Sequence, residues 1–122
     1  MALAKDLMGA GFSAGQSLGL GGALKTSISA AGSSITDATD LTASKNVVTT
    51  ATAGQGVQLA SMSVGESQVV FNATDAAIRV YPGSSSAQIN QLTAGAGATL
   101  PSFSVCEFHQ VSSTRVLANL SA

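Results

Sequence analysis

The segment Asn46-Val47-Val48-Thr49-Thr50-Ala51-Thr52-Ala53-Gly54-Gln55-Gly56-Val57-Gln58-Leu59 decides the fold class. Its first five residues are rich in β-branched side chains, which are stiff at χ1 and fit a pleated surface better than a helix. A Gly-x-Gly step follows, and glycine is the residue that reverses the chain at least steric cost. Val57-Gln58-Leu59 then resumes the extended pattern. The reading is strand, tight turn, strand.

Working outward, the same alternation continues on both sides. Upstream, Thr26-Ser27-Ile28-Ser29-Ala30 alternates and stops at Gly32. Asp37 and Asp40 lie in a Ser/Thr-rich loop, with room for a helical turn between Ala38 and Ser44. Downstream, Gly65 precedes the strongest strand, Ser67–Asn72. A hairpin loop at Ala73-Thr74-Asp75-Ala76 leads into Ala77–Tyr81, which Pro82-Gly83-Ser84 ends. Gln88–Leu92 is a short strand and Thr93–Gly97 a turn of small residues. Phe103–Gln110 and Thr114–Leu120 read as a closing hairpin. The spacing predicts a mainly β chain: a compact β-sandwich or barrel of about eight short strands. No repeat of fixed long period stands out.

The chain has 122 residues, enough for one domain. Only 9% of them are charged, against roughly 25% in an average soluble protein. Aromatics are 4%, Trp is absent and the formal net charge is −1. Few large side chains are available for a core, so a lone copy has modest burial and marginal stability. A sparsely charged surface also favours self-association. Both properties suit a chain covered by copies of itself or by a larger assembly. The five basic residues, Lys5, Lys25, Lys45, Arg79 and Arg115, are dispersed, which predicts no nucleic-acid partner. No apolar run approaches a membrane span, and Met1–Met8 lacks the layout of a secretory signal.

Residues 1–24 differ from the β body, which occupies 25–122. Leu3, Leu7 and Met8 fit one or two helical turns. Ser13, with Gln16 three residues on, fits the start of another. Glycines 9, 11, 19, 21 and 22 interrupt the pattern. Helices this short are unstable alone, so the segment reads as a short helical N-terminal arm that must dock on something.

Chemistry is hard to place in this sequence. Gly19-Leu20-Gly21-Gly22-Ala23-Leu24-Lys25-Thr26 resembles a phosphate-binding loop, but Leu24 stands where a glycine must precede the lysine. Gly9-Ala10-Gly11-Phe12-Ser13-Ala14 lacks the preceding strand of a dinucleotide fingerprint. Cys106 and His109 fall on opposite faces of a regular strand, which disfavours both a nucleophile pair and a metal site with Glu107. The expectation is a non-enzymatic protein with no cofactor and no metal.

Residues 26–118 resemble a small β domain found in many tailed-bacteriophage virion proteins. The resemblance rests on Asn46-Val47-Val48-Thr49-Thr50, on Gly54-x-Gly56-Val57-x-Leu59, and on Gly65 leading to Val69-Val70-x-Asn72. It continues through Val80-Tyr81-Pro82, Ile89-Asn90 and a late strand carrying Phe103 or Phe108. Leu7–Gln16 is similar to the helical leader common in such proteins. The family pattern often ends with a Trp, near where this chain has Leu117.

The resemblance implies a virion structural protein, usually a homotrimeric β module used in capsid decoration, head fibres or tail parts. A compact knob with an anchoring arm favours a capsid decoration, or cement, protein on the virion surface, made in the host bacterial cytoplasm. Its partner is then the major capsid protein. Leu3, Leu7, Met8, Phe12, Leu18 and Leu20 of the arm are the candidate capsid-binding residues, each contributing about 1.5–3 kcal/mol if fully buried, before ordering costs. The alternatives are a tail, baseplate or fibre-associated component, or a receptor- or glycan-binding knob.

Overall fold

The computed structural model describes residues 24–119. They form ten strands in two sheets and no helix. In chain order these are β1 (Leu24–Ser29), β2 (Thr39–Asp40), β3 (Lys45–Thr50), β4 (Gly56–Gln58) and β5 (Ser67–Asn72). There follow β6 (Ile78–Tyr81), β7 (Gln88–Ile89), β8 (Ala98–Leu100), β9 (Ser104–Ser112) and β10 (Arg115–Ala118). The larger sheet has the order β1-β3-β5-β9-β10-β7 and the smaller β2-β4-β6-β8. The helical arm expected from residues 1–24 lies outside the described residues, apart from Leu24, which opens β1.

The mainly β class is as expected, but the architecture is neither a sandwich nor a barrel. Through β1 to β6 the chain alternates between the sheets, adding one strand to each per circuit. Strands β1, β3 and β5 are therefore parallel neighbours, as are β2, β4 and β6. Leu24 stands beside Lys45 and Lys45 beside Val69, while Thr39 stands beside Val57 and Val57 beside Val80. A circuit of about 20 residues that stacks on the previous one is a solenoid. The expected hairpin at Ala73–Ala76 is instead a corner, because β5 and β6 belong to different sheets.

The last third of the chain turns back on this stack. β8 pairs antiparallel with β6 and β9 antiparallel with β5, so both upward-growing ladders end. The expected closing hairpin forms as β9–β10, with the first strand running on through Ser112 and the turn at Ser113-Thr114, and β10 takes the two-residue β7 as a parallel partner. β2 and β8 were not anticipated. β2 replaces the start of the expected helical turn, and β8 lies between the small-residue turn and Pro101.

Inward side chains from both sheets form one core. Val48, Val57, Val70, Ile78, Val80, Ile89, Leu100, Phe108 and Val116 are all fully buried. Buried amides close the corners. Asn46 donates to the carbonyls of Ala43 (2.7 Å) and Val69 (3.3 Å). Asn72 donates to the carbonyls of Ala76 (2.8 Å), Leu100 (3.2 Å) and Pro101 (3.0 Å), and accepts from the Thr74 hydroxyl (2.7 Å). Gln68 receives the Ala60 amide (2.9 Å) and donates to the Ala43 carbonyl (2.8 Å). Each satisfies backbone groups that a corner leaves unpaired.

Candidate interaction surface

Most of the residues that give the sequence its recognisable pattern are scaffold. Asn72 ties the end of β5 to the turn back after β8. Tyr81 lies on the outer side of the smaller sheet yet is only 5% exposed, because its ring lies against Gly56 and Gly97. Ile89 is in the core. Asn90 adopts φ 52° and accepts the Ala118 amide (2.9 Å). Arg115 is held by the Asn90 carbonyl (2.8 Å) and Gln88 Oε1 (2.9 Å). Of the two late phenylalanines, Phe108 is the core residue, while Phe103 is 72% exposed at φ 50°.

The groups that resemble catalytic ones are kept apart. Cys106 is buried and His109 exposed, on opposite faces of β9 as the alternation predicts. Burial pushes the Cys106 thiol pKa up, and the nearby Glu107 charge adds to this; a nucleophile needs the opposite shift. Glu107 and His109 lie on one face, with Oε1 and Nε2 2.9 Å apart and both side chains half exposed. Asp37 accepts the amides of Ser33 and Ser34 and the Ser34 hydroxyl, which hold its pKa below the usual carboxylate value. Its donors are the turn it caps. Among the described residues no group of three or more His, Cys, Asp or Glu side chains could hold a metal ion.

The distinctive surface is the outer face of the larger sheet. In one row Val47, Phe71 and Val105 stand side by side on β3, β5 and β9. In the next, Lys45, Val69 and Glu107 are aligned in the same way. Ser67, His109 and Leu117 make the third across β5, β9 and β10. Val105 and Leu117 are 54% and 47% exposed. They border an open groove of about 410 Å³ that also involves Glu107, His109 and Asn119. The outer side of the smaller sheet instead presents Asp40, Arg79 and Thr99.

The six arm residues Leu3, Leu7, Met8, Phe12, Leu18 and Leu20 lie outside the described residues, so the structure brings none of them to this face. The face itself was missed, although the sequence holds its signal. Val47-Val48, Val69-Val70-Phe71 and Val105-Cys106 are apolar on both strand parities. A strand with one solvated face alternates; continuous apolar runs mark strands covered on both sides. Comparison with protein-family models, with curated proteins and with solved structures finds no match to this chain.

Proposed function

We propose that the protein is a non-enzymatic virion structural component, a capsid decoration protein that clamps major capsid subunits and acts as a homotrimer. The observation that carries this reading is the division of labour in the β body. The conspicuous polar residues are spent on corners and turns, while the widest face groups Val47, Val69, Phe71, Val105 and Leu117 around a single lysine and a single glutamate. Such a body offers surface for assembly. The resemblance to small β domains of phage virions supplies the kind of assembly, and the apolar residues at positions 1–24 supply an anchor.

In this reading the anchor engages the shell and many copies act together, so modest contacts per copy sum to large resistance to internal pressure. The test is to mix purified protein with decoration-free heads and sediment them. Co-sedimentation at a fixed number of copies per head is expected. Protein left in the supernatant of heads but captured by tails identifies a tail component instead. Deleting residues 1–22 is expected to abolish head binding while far-UV circular dichroism stays unchanged.

A further inference from the structure

We infer that the outer face of the larger sheet is the surface through which copies of this chain pack against one another. The inference rests on the reading of the protein as a self-associating assembly part and assigns that association to a specific face.

The edges of the sheets are poorly suited to the task. An exposed strand edge recruits partners through its unpaired backbone groups, and proteins blunt such edges with bulges, short strands and proline. Here β1 is broken by register shifts around Ser27, which adopts φ 61°. β2 and β7 have two residues each, and β8 has three followed by Pro101. The outer face of the larger sheet carries no such protection. Its central strand β5 presents Val69 and Phe71, flanked by Val47 and Val105.

Charge selects the occupant. Lys45 and Glu107 flank Val69 in one row, on the two strands adjacent to β5. Strands lie about 4.8 Å apart, so the two charges sit on opposite halves of the face. Lys45 has no ion-pair partner among the described residues, where the one ion pair is Glu107–His109. When the β3 half of one copy meets the β9 half of the next, Lys45 comes opposite Glu107. The arrangement can repeat around a closed ring with β5 nearest the axis, and complementary charge fixes its register.

The test uses the full chain in sedimentation equilibrium across micromolar concentrations. The wild type is expected at a small multiple of 12.0 kDa, and Val105→Lys at the mass of one chain with unchanged circular dichroism. Lys45→Glu and Glu107→Lys should each weaken association about tenfold, and the double reversal should restore it. A wild type that stays single at all concentrations overturns the inference. So does a Val105→Lys variant of wild-type mass. A single-chain wild type whose β5 and β9 amides lose exchange protection when residues 1–23 are deleted shows the face covered by its own arm, and also overturns it. Head binding is measured separately. Copies that associate through this face but ignore heads sink the capsid reading alone, whereas head binding with an unaffected Val105→Lys oligomer sinks only the face.

Discussion

The ring of Tyr81 fills the space that a side chain at Gly56 would need: a Cβ added there would stand 2.5 Å from Cε2 of the tyrosine. Gly56 on β4 and Tyr81 on β6 belong to neighbouring strands, offset by two residues from direct register. A small residue on one strand thus creates the bed for an aromatic on the next. Gly56→Ala is expected to cost about 1–3 kcal/mol through overpacking. In a Tyr81→Ala background the same change should cost much less, because the clash with the ring is gone and only a 3.1 Å approach to the Arg79 carbonyl oxygen remains. Urea unfolding of the four proteins in that cycle measures the coupling.

Asn72 is 2% exposed and serves three carbonyls and the Thr74 hydroxyl. Asn72→Ala leaves buried acceptors without donors and is expected to destabilise the protein by about 2–3 kcal/mol. Asn72→Asp keeps the size but, when ionised, cannot donate to the carbonyls of Ala76, Leu100 and Pro101. It should be at least as damaging at neutral pH and recover in part on acidification. Thermal unfolding at two pH values checks both.

Burial raises the Cys106 pKa above its ordinary value. Above about pH 8.5 the unfolded chain gives up the thiol proton more readily than the folded one. The folded state then binds more protons, so stability is full below that pH and falls as pH rises toward the raised folded value. A wild-type urea midpoint that drops between pH 7 and pH 9.5 by more than that of Cys106→Ala is the expected result. Native protein should also react slowly with an aromatic disulfide at pH 8.

Phe103 holds φ 50° while largely exposed. Asparagine tolerates the left-handed region far better than phenylalanine. Phe103→Asn is expected to stabilise the protein by about 1 kcal/mol through relief of backbone strain. Differential scanning calorimetry of the two proteins measures the change.

Strand positions were largely legible in the sequence because they depend on local chemistry. Ser67–Asn72 stands in the structure with the boundaries its β-branched run predicts, and the closing hairpin forms with its turn shifted to Ser113-Thr114. The winding was not legible. Lys25, Asn46 and Val70 stack across three coils, yet they are a cation, an amide and a hydrocarbon. Each coil closes its corners with different residues, so spatial repetition leaves no repeated sequence. β8 escaped notice because Ala98-Thr99-Leu100 offers a single large side chain; its place comes from pairing with β6 rather than from its own propensity. The apolar outer face was readable in the doubled hydrophobic runs. The arm, the original candidate site, lies outside the described residues.

The antiparallel return of β8 and β9 has a consequence for growth. A stack of parallel coils is open-ended, and another turn of the same geometry could be laid on its last rung. Here that rung is met by β8 and β9, which run the opposite way; β10 and β7 reverse again beyond β9, and the outermost strands of the two sheets, β7 and β8, are only two and three residues long. Edges of two and three residues give a second molecule too short a template at that end. The stack is thus finished at that end by its own chain, and what the coils began there cannot be continued by another molecule laid on top.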